Sequence, residues 1–235
     1  MEPLAAITNA PALGRPNDWP PSSKPFRSNP PDGSVGIAIP IRDGLKFFKL
    51  TFYSVLDFTD WKNIVTLVDN MSGFQTVNHL DSLKRNHNIN VLQYQEKHNL
   101  GAEANLAFRF MFSFAAVRFG ALILPGVVLE PFWASRSIRH ITGKTDLGLI
   151  APAVGHQRFD PIPENSLSIT ETLGPDCLIF RREVFEGING FSERAQDDTE
   201  AVGDFCRRAA QKSWKSALNS RVSIHRFNLN GSRPD

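Results

Sequence analysis

The chain has 235 residues, 41% of them hydrophobic and 21% charged, with a formal net charge of +2 at pH 7. That length and balance suit one soluble α/β domain with a sizeable core. The near-neutral charge and the lack of a basic face or tail exclude nucleic acid as an expected partner. The two cysteines, Cys177 and Cys206, exclude a disulfide framework or a cysteine-built zinc site and read as buried thiols in a reducing compartment.

Residues 1 to 33 hold eight of the 16 prolines. Proline fixes φ and removes amide donors, so this stretch reads as a flexible or extended arm outside the core. It has no basic start followed by an apolar run, so no signal peptide is expected. The most apolar region, 108 to 128, is interrupted by Arg109, Arg118, Gly120 and Pro125, against the pattern of a membrane span. A cytoplasmic protein is expected, and peripheral attachment to a membrane stays open.

The ordered domain is expected over 34 to 228, with a tail from 229 to 235. A first buried strand covers 35 to 39 and ends at Pro40. Apolar residues at Leu45, Phe48, Phe52, Val55 and Leu56 have helical spacing. Ile64, Val65, Leu67 and Val68 make a β-branched run that suits a strand buried on both faces. It stops at the polar cluster Asp69-Asn70-Met71-Ser72-Gly73, which places a carboxylate at the edge where open α/β sheets bind ligands. Asp69 also reads as a local cap for the helix that follows. That second helix spans 75 to 86, and a third short strand covers 89 to 93.

The stretch from 98 to 105 opens a long apolar helix expected to reach about Phe119. Gly101 there allows close backbone approach, and Asn105 sits on the first turn, near amide donors that favour anions. A fourth strand is read over 121 to 124, a helix over 132 to 141 and a strand over 147 to 151. Residues 152 to 172 read as a loop-rich excursion. A strand over 175 to 180, a short helix over 181 to 185 and a turn over 187 to 191 follow. Asp197 to Gln211 reads as a polar amphipathic helix, and 222 to 225 as a closing strand.

Alternating strands and helices imply an open, mostly parallel sheet with helices on both faces. Neither Gly-x-Gly-x-x-Gly after the first strand, nor a P-loop, nor Gly-x-Ser-x-Gly is present. Several stretches recur in a fixed order: Val-Gly-Ile-Ala-Ile-Pro-Ile-Arg at 35 to 42, Val-Asp-Asn-Met-Ser at 68 to 72 and Asn-Leu-Gly-Ala-Glu-Ala-Asn at 99 to 105. Val-Leu-Glu-Pro at 128 to 131, the run from Gly174 to Phe185, Gly-Ile-Asn-Gly-Phe-Ser-Glu at 187 to 193, Asp-Phe-Cys-Arg-Arg-Ala at 204 to 209 and His225 complete the set. Together they resemble a family 2 glycosyltransferase of GT-A fold.

The resemblance implies an enzyme that moves a sugar, with inversion, from a nucleotide-sugar donor to a glycan or other acceptor hydroxyl. It implies nucleotide contacts at Pro40, Asp69, Asn99, Gly101 and Asn105. It also implies a divalent cation, Mn or Mg, held by an Asp-x-Asp or Asn-Pro-Asp motif. Here that motif is missing. Pro125 stands where the family has its proline, and Gly126 where it has the metal-binding Asp. The nearest carboxylate, Glu130, reads as the start of the next helix. The cation is therefore in doubt, and Arg207 or His225 would offset the pyrophosphate charge in its place. Near the expected base the chain has Asp197, Asp198 and Glu200; Glu200 is the candidate base, against a reading of 197 to 200 as an acidic helix start. Loss of the metal-binding Asp also leaves a second function open, a glycosyltransferase-like module that binds nucleotide-sugar or glycan without transfer.

Overall fold

The computed structural model describes residues 32 to 155 and 167 to 227. The arm, apart from Asp32 and Gly33, lies outside the described residues, as do 156 to 166 and the tail.

The chain alternates strands and helices as its apolar periods dictate. β1 (Ser34–Ile41), α1 (Leu45–Phe58), β2 (Asn63–Asn70), α2 (Phe74–Asn86), β3 (Ile89–Tyr94) and α3 (Leu100–Phe112) form the first half. β4 (Val117–Ile123), β5 (Val127–Leu129), α4 (Trp133–Gly143), β6 (Leu147–Val154), β7 (Leu167–Thr170), β8 (Cys177–Arg181), α5 (Arg182–Gly187), α6 (Asp198–Gln211) and β9 (Lys215–Arg226) follow. Among the described residues the strands form one nine-stranded sheet in the order β3-β2-β1-β4-β8-β6-β9-β5, with β7 also on β9. β1 to β4 run parallel, β8 runs against them, and β6 and β9 resume the first direction. β5 and β7 run antiparallel along β9. The sheet is mostly parallel, as expected.

Side chains alternate across it and feed two cores. Val35, Ile37, Ile39 and Ile41 of β1 pack with Phe48 and Phe52 of α1 and Trp133 of α4 on one face. Ala38, Leu122, Leu178 and Phe180 pack with Phe108 and Met111 of α3 and Phe205 of α6 on the other. Phe180 is the hub of that second core. Its ring lies 4.8 Å from Phe108 and 5.2 Å from Phe205, both edge-on. Phe205 in turn stacks on Phe191 at 4.0 Å. Gly120 exists to admit this ring: a Cβ there would lie 2.4 Å from Phe180.

The structure corrects several expected boundaries. Pro40 does not end β1, which runs on to Ile41. The β1–β4 ladder stops at Ala38, so the missing amide of Pro40 is needed by no bond to β4. α3 ends at Phe112, not near Phe119. Val117, Phe119 and Ala121 alternate inward with exposed Arg118 and pair with β1, so the sheet overrides the helical continuation. β9 is far longer than expected, and β5 and β7 were not foreseen. β9 carries exposed Lys215, Leu218 and Ser220, and its apolar pattern is too broken to read without its neighbours. No helix among the described residues is long and apolar enough to cross a membrane.

Phe180→Ala should remove the shared ring of the second core and cost about 3–5 kcal/mol. Urea unfolding followed by circular dichroism measures that loss directly.

Candidate functional site

Because β1, β2 and β4 are parallel, their ends collect on one edge. Arg42 follows β1, Asp69 and Asn70 end β2, and Leu124 follows β4. β8 runs the other way, so Pro175 and Asp176 reach the same edge from its start. Arg226 arrives at the end of β9, and the first turn of α6 closes the far wall. Between them lies a cleft of about 690 Å³, lined by Arg42, His98, Asn99, Leu124, Pro175, Gln196, Asp197, Asp198, Thr199 and Arg226. That volume is in the range of small-molecule and cofactor sites.

Glu103 anchors one wall from below. It sits in the first turn of α3 with its side chain fully buried. Arg42 answers it with a fork: Nε lies 2.9 Å from Oε1, and Nη2 donates to Oε2. Asn70 Nδ2 adds a bond of 2.7 Å to Oε1. Burial pushes the Glu103 carboxyl above its ordinary value, and the bonds from Arg42 and Asn70 oppose that rise without cancelling it. Burial draws the Arg42 guanidinium down, but its two carboxylate partners outweigh that and leave it above its usual value. The remaining arm, Nη1, reaches Asp198 Oδ1 at 3.1 Å. One arginine thus ties the end of β1 to α3 and to the start of α6.

The residues expected to bind nucleotide fall into three groups. Pro40 is buried within β1. Asp69 is 3% exposed; Oδ1 accepts from Ser72 N at 3.0 Å and Oδ2 from Gln93 Nε2 at 3.2 Å. It braces the β2–α2 loop, while the start of α2 is held by Asp43, whose Oδ1 accepts from Gly73 N at 2.7 Å. Asn99, Gly101 and Asn105 together clamp α3 to the segment from 190 to 195. Asn99 Oδ1 caps α3 by accepting from Ala102 N, and its Nδ2 donates to Glu193 O and Ala195 O. A Cβ on Gly101 would lie 2.0 Å from Ser192 O. Asn105 exchanges bonds with Phe191, donating to its carbonyl at 3.0 Å and accepting from its amide at 2.8 Å. Of these five, Asn99 lines the cleft.

Glu200 completes a capping box at the start of α6. Its Oε2 accepts from Gln196 N at 2.7 Å, while its own amide donates to Asp197 Oδ1 at 2.7 Å. The carboxylates in the cleft wall are Asp197 and Asp198. Arg207 is exposed and pairs with Asp204 at 3.1 Å. Arg208 supports the 187 to 191 turn through Ile188 O and Gly190 O. His225 Nε2 lies 3.4 Å from Glu130 Oε1, and Ser223 Oγ donates to Glu130 Oε2 at 3.0 Å. Glu130 therefore joins β5 to β9 and does not cap α4, which opens at Phe132 with no side-chain cap.

The sequence reading assigned no role to two cleft residues, Arg42 and Arg226, and noted Asp198 but chose Glu200 over it. Each stands beside a residue that drew attention. Glu103 carried a detectable signal, a carboxylate whose neighbours on the same helix face are Leu100, Leu106 and Ala107.

The turn at 124 to 127 decides whether a cation fits. Gly126 has φ +95, a conformation that side chains avoid. A Cβ there would lie 2.7 Å from Phe227 O. The turn is further closed by Gly126 N donating to Thr51 Oγ1 at 2.9 Å and Phe227 N donating to Gly126 O at 2.9 Å. Among the described residues, no three His, Cys, Asp or Glu side chains are grouped to hold a metal. The turn at 124 to 127 itself offers a divalent cation no side-chain ligand.

No protein-family model matches the chain, and no curated protein matches it by sequence. Solved structures do. TarS 1–349 of S. aureus in complex with UDP-GlcNAc is 13% identical, with a TM-score of 0.66 over 85% of this chain and 60% of that one. The mannosyltransferase PcManGT of Pyrobaculum calidifontis, in complex with GDP-Man and Mn2+, is 14% identical, with a TM-score of 0.66 over 88% of this chain and 62% of that one. GalNAc-T7 with UDP, GalNAc and Mn2+ is 11% identical, with a TM-score of 0.70 over 88% of this chain and 46% of that one. The fold is that of a GT-A glycosyltransferase. The chain spans less than two thirds of the length of each of these structures.

Two outcomes follow from the site. Arg42→Met leaves Glu103 buried without its cation and should cost about 1–3 kcal/mol. A raised folded-state carboxyl loses stability as pH climbs through that raised value. Without Arg42 the Glu103 carboxyl is raised further, so the variant's deficit should grow as pH climbs and shrink as pH falls; melting curves across pH check this. Gly126→Asp should lower the melting temperature, and Mn2+ should not restore it, because the new side chain meets the Phe227 carbonyl before it can meet a metal.

Proposed function

We propose that this chain is a glycosyltransferase that takes a nucleotide-sugar in the cleft and moves the sugar to an acceptor hydroxyl, with inversion, in the cytoplasm. The observation that carries this reading is Asp198. It is a carboxylate in the wall of a nucleotide-sized cleft, at the ligand-binding edge of a glycosyltransferase fold, oriented by Arg42. Structures of the same fold were solved with UDP-GlcNAc and with GDP-Man, which supports a nucleotide-sugar as the ligand class.

In this reading Asp198 takes the proton of the acceptor hydroxyl as its oxygen attacks the anomeric carbon. The bond from that carbon to the diphosphate breaks, and the diphosphate leaves with the electron pair. Glu200, the base expected from the sequence, supplies the helix start that aims Asp198. Asp69, Asn99, Gly101 and Asn105 shape the loops around the donor. The acceptor is a glycan or another hydroxyl compound.

Asp198→Asn should lower transfer by about 10²–10⁴-fold while leaving nucleotide-sugar affinity within a few-fold. Glu200→Gln should leave transfer nearly intact, because the Gln oxygen can still accept from Gln196 N and keep the helix start. Product formation is read by mass spectrometry over a panel of nucleotide-sugars and glycan acceptors. Loss of transfer in Glu200→Gln with full activity in Asp198→Asn would reverse the assignment.

A second reading has one observation behind it. The turn around Gly126 has no room for the carboxylate that the resembled family uses at its leaving group. A chain that binds nucleotide-sugars yet forms no product with any acceptor would be a binding module on the same fold.

A further inference from the structure

We infer that this cleft holds the donor's diphosphate with two arginines, Arg226 from one wall and Arg42 from the other, in place of a divalent cation. The inference rests on the nucleotide-sugar reading above and names the groups that take the anionic part of that ligand.

It starts from a register. β5 pairs with β9 so that Val127 stands opposite Arg226. The turn that has lost its metal-binding position at Gly126 is therefore the immediate neighbour of an arginine. The same backbone that excludes a side chain at 126 fixes that arginine, because Phe227 N donates to Gly126 O. The turn forfeits a carboxylate and gains a cation by one set of contacts.

Arg226 is also oriented. Its Nη1 lies 2.9 Å from Asp176 Oδ1, with both side chains about a quarter exposed. A guanidinium carries five N–H donors, and one carboxylate uses at most two of them. Donors therefore remain for an anion, and planar forked donors suit phosphate oxygens. Arg226 lines the cleft next to Leu124 and Pro175, and Arg42 lines it from the end of β1. Arg42 is held by Glu103 through Nε and Nη2 and by Asp198 through Nη1, which leaves one N–H on each of Nη1 and Nη2 for an anion, and it needs little ordering when a ligand arrives. Each carboxylate in the same wall already has a donor on its Oδ1. Asp197 accepts from Glu200 N to cap α6, and Asp198 is paired with Arg42.

His225 and Arg207, the cations expected from the sequence, stand apart from this arrangement. His225 alternates with Arg226 along β9, which turns it to the other face of the strand, beside Glu130. Arg207 is exposed on α6 against Asp204.

The test is isothermal titration of UDP and of GDP into the full chain, each in EDTA and in Mn2+. At least one nucleotide should bind with the same Kd in both buffers. Arg226→Met should weaken that binding by about tenfold or more, and Arg226→Lys should recover part of it. Should Arg226→Met fail to fold, Asp176→Asn gives an independent reading: freeing Arg226 from its carboxylate should tighten nucleotide binding. Binding that needs Mn2+, an unchanged Kd in Arg226→Met, or no gain in Asp176→Asn would each overturn the inference while leaving the nucleotide-sugar reading standing. Failure of the folded chain to bind either nucleotide in either buffer would overturn that reading as well.

Discussion

The cleft depends on one buried carboxylate. Glu103 has no exposed side-chain surface, and an ionised group in that position is costly unless paired and hydrogen-bonded. Arg42 and Asn70 meet that demand, and each belongs to the end of a different strand. Satisfying Glu103 therefore fixes the ends of β1 and β2 against α3. The third contact of Arg42 then sets the position of Asp198 and the start of α6. A single electrostatic requirement aligns four separate parts of the chain around one cavity.

A second constraint is steric and acts on the opposite wall. The α3 helix approaches the 190 to 195 segment closely enough that Gly101 has no space for a methyl group. Asn99 and Asn105 bond that segment to the helix on either side of the glycine. Gly190, at φ +75, faces Asn105 in the same contact. These residues hold the strip of chain that leads into α6, and so hold Asp197 and Asp198 at the cleft. Their role is positional, because their polar atoms are largely occupied by backbone groups.

The turn at Gly126 shows how the fold can keep its cleft while its charges change. In the resembled family this turn presents a carboxylate toward a metal. Here it is closed against Phe227 by backbone bonds, and β9 supplies Arg226 beside it. In the proposed function, nucleotide binding and transfer chemistry draw on different groups at this edge. The first needs cations and shaped loops; the second needs a base and a stabilised leaving group. The two readings of function divide at that point.

The sequence by itself determined the order of most elements and the mixed α/β sheet, and it pointed to the sheet edge where the cleft lies. Those features follow from local apolar period and from strand ends marked by polar residues, as at Val68-Asp69-Asn70. It also located the motif loss at Gly126 and offered the capping reading of 197 to 200. Only the tertiary structure decided which charged residues share the cleft. Arg42 and Glu103 are 61 positions apart, and Arg42 and Asp198 are 156 apart; no local pattern records such pairs. The extent of β9, and with it the placing of Arg226, likewise came from pairing with β5, β6 and β7. Strand alternation puts Arg226 and His225 on opposite faces, and which face meets the cleft is set by the neighbours of the strand, not by its own residues.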